Sequence, residues 1–272
     1  MTQPIALVTG ASGGIGKAIT ETLAANGFYV FAAARRMDRL ENLRSNSIEP
    51  LKLDVTDPDT IKDAIQQIQA TKGRIDVLVN NAGYGLYGTL EGLQLEQIRR
   101  QFDVNVFGLG QITQAVLPLM RSQQSGMIVN IASIVGKVSL PFAGWYSASK
   151  HAVEALSDAL RLEVKPFGIK VIVIEPGAIK TEFDDVALET LEQSNDPEAY
   201  KPYKQRFRQL VEDSYRDAPG PEIIAQTVLK AVQSPQPKPR YAIPLSAQIL
   251  IWGRQLLGEQ FLDSVIGSQL RK

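Results

Sequence analysis

Apolar residues along the 272-residue chain fall into two alternating textures. Short, mostly apolar runs at residues 5–8, 28–34, 51–53, 75–79, 127–132 and 171–174 have the length and content of strands buried on both faces. Between them the apolar positions take helical spacing. Ala18, Ile19, Leu23 and Ala24 mark a first helix, and Ile61, Ala64, Ile65 and Ile68 another. Phe102, Val106, Leu109, Ile112, Val116 and Leu119 mark one long helix over about 95–121. Asn105 lies inside it as a poor helix former, which asks for a bound water or a local kink; Gly108 and Gly110 weaken it further. Val153, Leu156, Ala159, Leu160 and Val164 continue a helix that Pro166-Phe167-Gly168 stops. After a helix over 223–232, a proline-rich connector at 234–239 leads to a short strand at 240–243. Ile249, Trp252, Leu256, Phe261 and Val265 then predict an amphipathic helix over about 245–268.

Strand and helix alternate throughout, so the pattern predicts an α/β chain without a second domain. One stretch departs from it. Over about 182–221 the chain is charged, broken at Asp196-Pro197 and Pro202, and carries Phe183, Tyr200, Tyr203, Phe207 and Tyr215. It reads either as a flap over a substrate site or as a solvated surface insertion.

Composition narrows the chemistry. There are no cysteines and one histidine, which excludes disulfides, thiolate catalysis and Cys-zinc sites and argues against any resident metal. Lys+Arg and Asp+Glu balance at 29 each, so no nucleic-acid partner is expected. No stretch reaches the roughly 18 apolar residues of a membrane span. The chain enters its first strand directly after Met1-Thr2-Gln3-Pro4, so no leader and a cytoplasmic location are expected.

The candidate chemistry lies just beyond the strands. Thr9-Gly10-Ala11-Ser12-Gly13-Gly14-Ile15-Gly16 joins the first strand to the first helix, the arrangement that holds a pyrophosphate. Gly10 suits the tight turn, Gly14 a phosphate approach and Gly16 close helix packing, although the spacing is not Gly-x-Gly-x-x-Gly. The second strand ends in Ala34-Arg35-Arg36, with no carboxylate for a ribose diol and two guanidinium forks suited to a 2′-phosphate. The alternative is two surface arginines. Asp54 either meets an adenine edge or caps the turn at Val55, and Asn80-Asn81-Ala82-Gly83 closes the fourth strand. Ser133 ends the fifth. Tyr146 and Lys150 share a helix face, a phenol beside an ammonium that favours its ionised form. Lowering that phenol by about three units takes about 4 kcal/mol, shared between Lys150 and a cationic cofactor ring.

Together these elements resemble the short-chain dehydrogenases/reductases over residues 4–243. The resemblance rests on Thr9-Gly10-x-x-x-Gly14-x-Gly16, Asn80-Asn81-Ala82-Gly83, Asn105, Ser133, Tyr146-x-x-x-Lys150 and Pro176-Gly177 with Thr181. It implies a single Rossmann-type domain, a doubly wound parallel sheet of about seven strands flanked by helices. It implies Tyr146 as proton donor or acceptor and Lys150 as the cation that tunes it and holds a ribose. Ser133 would orient the carbonyl, and Asn105 would hold a relay water. Gly10, Ser12, Gly14, Ile15, Gly16, Asp54, Val55, Asn81, Ala82, Gly83, Pro176, Gly177, Ile179 and Thr181 would meet the cofactor, with Tyr146 and Lys150. Arg35 and Arg36 would select NADP(H) over NAD(H), alone, because Gly13 stands where some members carry another basic residue.

More loosely, the C-terminal part is similar to the 17β-hydroxysteroid and retinol dehydrogenase-like branch. That implies a bulky apolar carbonyl or alcohol, steroid-like, retinoid-like or aromatic. The family also implies a homodimer or homotetramer paired through the long helices after strands four and five. Alternatives are a 3-oxoacyl-thioester reductase, which needs a basic path for a carrier phosphate, and a non-catalytic NADP(H)-sensing regulator.

Overall fold

The computed structural model describes residues 3–271; Met1 and Thr2, part of the expected direct lead into the first strand, lie outside the described residues. In chain order the elements are β1 (Ile5–Thr9), α1 (Gly14–Ala25), β2 (Tyr29–Ala34), α2 (Met37–Glu41), β3 (Ile48–Lys52), α3 (Pro58–Lys72), β4 (Val77–Asn80), α4 (Leu95–Phe102), α5 (Leu109–Gln123), β5 (Gly126–Ile131), α6 (Gly144–Glu163), β6 (Ile169–Pro176), α7 (Phe183–Gln193), α8 (Lys201–Arg216), α9 (Glu222–Gln233), β7 (Arg240–Ile243) and α10 (Leu245–Arg271). The seven strands form one sheet in the order β3-β2-β1-β4-β5-β6-β7, and every pairing is parallel.

Period-two alternation explains the layers. Ala6, Val8, Val30, Val79 and Val129 face one side and pack on Ile19 and Leu23 of α1 and Ile224 and Val228 of α9. Leu7, Phe31, Leu78 and Ile128 face the other and pack on Ile61 and Ile68 of α3 and Ile112, Val116 and Met120 of α5. Both faces are covered, which is why these strands read as unbroken apolar runs. The third strand lies earlier than its apolar run suggests and takes in Pro50, which an edge strand tolerates. The strand order reverses between β1 and β4, which opens a crevice beyond their carboxyl ends.

Three expectations need correction. The long helix over 95–121 is two helices, α4 and α5, separated by a π-helical turn at Asp103–Gly108. Asn105 sits in that turn with its side chain withdrawn from the helix to serve a loop. The C-terminal helix reaches Arg271 and breaks at Gly258 (φ 80°), which resets its phase. Ile249, Trp252, Leu256 and Phe261 are exposed by 49–82%, whereas Ala247, Ile251 and Leu262 are buried. In α6, Leu156 is exposed while Glu154 and Ser157 are buried, opposite to their polarity. No described helix is long and apolar enough to cross a membrane.

Candidate active site

At the crevice, Gly10 adopts φ +66° and Gly14 φ +52°, conformations that favour glycine. A Cβ on Gly16 would lie 2.3 Å from the Gly10 carbonyl oxygen, so only glycine lets α1 start this close to β1. Asn81 braces the loop from below. Its Nδ2 donates to the carbonyls of Thr9 (3.0 Å) and Gly10 (3.2 Å), and Thr9 Oγ1 accepts from the backbone N–H groups of Asn81 and Ala82. α1 has no side-chain cap and no acidic residue in its first turn. Its free N–H groups and positive dipole end thus face the crevice, a cradle that fits a dinucleotide pyrophosphate.

The adenosine end of the crevice is basic. Arg35 lies 4.0 Å and Arg100 3.9 Å from Asp54, and Arg36 Nη2 donates to Ser12 Oγ at 3.3 Å. Asp54 caps its own turn, accepting from Thr56 N and Thr56 Oγ1. Partial burial opposes its charge, but the Thr56 bonds and the two guanidinium groups hold its carboxyl below the usual range.

Four buried side chains meet near the middle of the sheet. Tyr146 and Lys150 are one turn apart on α6, and Ser133 lies just beyond β5, where it caps the turn at Ile134–Gly136. Lys150 Nζ donates to the Ile131 carbonyl at 2.8 Å and lies 6.0 Å from the Tyr146 ring centroid. Asn105 stands behind Gly83: its Oδ1 accepts from Tyr84 N, and its Nδ2 donates to Tyr84 O (2.9 Å) and Ser149 Oγ (3.1 Å). Burial pushes the Tyr146 phenol well above its ordinary value, opposed only by a hydrogen bond with Ser133. Burial dominates around this phenol, and the lowering expected from the sequence draws on a cationic cofactor ring as well as on Lys150. Burial also lowers Lys150 to about 8, against the pull of the Glu154 carboxylate.

A cavity of about 1020 Å³ runs from the glycine loop past Tyr146 to an apolar chamber. Tyr87, Val135, Phe183, Phe207 and Val211 line the chamber near Tyr146, and Leu250, Leu262, Val265, Ile266 and Leu270 of α10 close its far side. Phe142, held at φ 58°, packs on Phe207 with ring centroids 5.3 Å apart, so the loop before α6 is fixed by the residues of α8.

Gly10, Ser12, Gly14, Ile15, Arg35, Arg36, Asp54, Val55, Asn81, Ala82, Gly83, Ser133, Tyr146, Lys150, Pro176, Gly177, Ile179 and Thr181 all line this one cavity. Gly16 and Asn105 do not; both act from behind it. Arg100 escaped the sequence reading because it comes from α4, remote in sequence from the other arginines. The buried Glu154 also escaped it, since a glutamate on a long helix normally marks a solvated face.

The short chain dehydrogenase family model matches residues 4–192. The chain belongs to the short-chain dehydrogenase/reductase family. It is 37% identical over 250 residues to the 3-ketodihydrosphingosine reductase of Bacteroides thetaiotaomicron, covering 92% of this chain and 91% of that one. It is 34% identical to the NADPH-dependent 3-dehydrocapnine reductase of Ornithobacterium rhinotracheale, covering 98% of this chain and 97% of that one. A short-chain dehydrogenase from Streptomyces avermitilis superposes with a TM-score of 0.83 at 35% identity, covering 98% of this chain and 95% of that one. This short-chain dehydrogenase/reductase is an oxidoreductase that acts on CH–OH groups with NAD(P).

Proposed function

We propose that the enzyme is an NADP(H)-dependent reductase that interconverts a carbonyl and an alcohol on a long or bulky apolar substrate. The carrying observation is the continuity of the Tyr146 site with an apolar chamber whose far wall is α10. The two reductases above support a keto substrate through their names. The same chamber argues against a carrier-bound thioester. Of the arginines that line the cavity, Arg35 and Arg100 flank Asp54 and Arg36 bonds Ser12, and among the described residues α8 and α10 contribute no basic side chain to its lining.

Bound in the cradle of Gly10, Gly14 and the α1 N-terminus, NADPH supplies the hydride. In this reading Ser133 hydrogen-bonds the substrate oxygen and Tyr146 delivers the proton. A phenol that is protonated at neutral pH can give its proton to the substrate oxygen as the hydride arrives. Lys150 holds the ribose and stabilises the phenolate left behind, and Asn105 fixes the loop at Gly83 and Tyr84 around a relay water. A regulator without turnover has no use for this set. The test is NADPH turnover on straight-chain ketones, a steroid ketone and a 3-oxoacyl thioester. A thioester preference overturns the substrate class, and binding without turnover on every ketone favours the regulator.

α7 and α8 act as the lid of the chamber. Asp196, buried between them, accepts from Thr89 N (3.0 Å), Thr89 Oγ1 (2.7 Å) and Lys204 Nζ (3.0 Å). Burial opposes its charge, but bonds from Ser194, Thr89 and Lys204 pull its carboxyl down to about 2. A depressed carboxyl stabilises the docked lid above its ordinary value near 4 and releases it as pH falls towards about 2, worth on the order of 2 kcal/mol. Asp196→Asn should therefore speed proteolytic cleavage within 182–221 at neutral pH, with NADPH and ketone slowing it again. Cleavage at the parental rate would leave α7 and α8 as an inert insertion.

The predicted homo-oligomer has a matching surface: Phe107, beside α5, and Leu156 and Leu162 of α6 are exposed by 46–73% in the single chain. Pairing of these helices buries them.

A further inference from the structure

Directly behind Lys150 lies a group of charges that the chemistry above leaves unused. Glu154, one turn further along α6, and Glu175, the residue before Pro176-Gly177, are 4% and 3% exposed. Glu154 Oε2 accepts from Lys137 Nζ at 2.8 Å and from Arg240 Nε at 3.0 Å. Glu175 Oε1 lies 3.9 Å from Lys137 Nζ and 3.4 Å from Arg240 Nε. Asp158 of α6 holds Arg240 from the outer side and pairs with Arg161. Arg254 of α10 donates to the Lys137 carbonyl. Lys137, Arg240, Glu175 and Lys150 are the charged groups that face Glu154, with Asp158 and Arg254 one contact further out.

Buried ionic groups cost desolvation, and well-packed apolar residues often replace them without loss. Here the cluster joins the parts that the reaction requires to stay in register. Lys137 follows the Ile134–Gly136 turn that Ser133 begins, and that turn seats on α6 so closely that a Cβ on Gly136 would lie 2.9 Å from the Lys150 carbonyl oxygen. Glu175 leads into Pro176, whose carbonyl accepts from Ser133 Oγ at 3.3 Å. Glu154 Oε1 and Glu175 Oε1 are buried without another hydrogen-bond partner. Burial, with the Glu154 charge beside it, pushes the Glu175 carboxyl up to about 7.

We propose that Glu154 is a positioning residue: clamped by Lys137 and Arg240 against Glu175, it fixes the Ser133 turn against α6 and supplies the negative charge that keeps Lys150 an ammonium. The proposal rests on the reading of Ser133, Tyr146 and Lys150 above. Its mark is a pair of shifts of opposite sign. Glu154→Gln keeps the shape and removes the negative charge about 6 Å along the helix, so Lys150 loses its proton at lower pH, by on the order of one unit. The alkaline limb of the kcat/KM profile moves down with it, a loss of about tenfold at pH values above that limb. Lys137→Met removes a positive charge and moves the limb to higher pH. Glu154→Asp keeps the charge and the parental limb.

The experiment records these profiles together with the Lys150 titration by NMR of isotope-labelled lysine, which needs no turnover. Opposite shifts from Glu154→Gln and Lys137→Met, with Glu154→Asp unmoved, establish the role. Stationary titrations, or shifts of the same sign, overturn it and leave a structural cluster. A parent in which Tyr146 proves dispensable overturns the catalytic reading instead, while the NMR titration still decides the electrostatic one.

Discussion

Tyr146→Phe lowers turnover by roughly 10²–10⁴-fold and leaves NADPH affinity nearly intact. The ring is held by its neighbours rather than by its hydroxyl: Tyr87 meets it edge-on at 6.2 Å and Phe183 at 5.5 Å between centroids. Phenylalanine keeps both contacts and the burial that goes with them. What it loses is the proton and the hydrogen bond with Ser133. Stability should hold or rise slightly, since a buried hydroxyl no longer needs a partner. Steady-state rates with saturating ketone, alongside NADPH titration by fluorescence, separate the two effects. Turnover within a few-fold of the parent would remove Tyr146 from proton transfer.

The second large effect concerns cofactor choice. Ala34→Asp with Arg35→Ile should invert a preference for NADPH over NADH. The 2′-phosphate differs from the 2′-hydroxyl by charge and acceptor oxygens, and a charge-assisted hydrogen bond contributes about 1.5–3 kcal/mol. Arg35 and Arg100 flank Asp54 at about the same distance, 4.0 and 3.9 Å, and Arg36 is steered inward by Ser12. Two engaged guanidinium groups therefore favour NADPH by roughly 10²-fold. The Arg35 side chain is 66% exposed, so the preference should fall as salt screens it. In the double variant the new carboxylate accepts from the ribose diol, and the loss of Arg35 removes a phosphate partner. The ratio of kcat/KM for the two cofactors, at low and high salt, measures this. A parent that prefers NADH would return Arg35 and Arg36 to the surface.

Much of this was legible in the chain. Runs such as Ile5-Ala6-Leu7-Val8 are apolar at both parities because the sheet is covered on both sides, and that alone identifies buried parallel strands. The glycine loop was legible because only glycine survives where a Cβ would strike backbone, as at Gly16. Other features were not legible, for physical reasons. A local kink at Asn105 was legible, but not its form as the π-helical turn Asp103–Gly108, because the groups Asn105 grips, Tyr84 and Ser149, lie outside its own segment. In the first half of α10 the buried face carries Ala247 and Ile251, and spacing alone does not tell it from the equally apolar face of Ile249, Trp252 and Leu256 that is exposed. Glu154 is buried by Lys137 and Arg240, charges that reach it from another loop and another strand. Periodicity within one segment carries no trace of partners supplied by tertiary structure.

The most direct test of the account is kcat/KM for NADPH-dependent reduction of a series of straight-chain ketones of increasing length. Each methylene that enters an apolar chamber gains about 0.8 kcal/mol, close to a fourfold rise per carbon. The account predicts a steady climb that levels off once the chamber between Tyr146 and α10 is full. Leu262→Asp, on the far wall, should flatten the climb for long ketones and spare short ones. A kcat/KM independent of chain length would contradict an apolar substrate, however well the short ketones turn over.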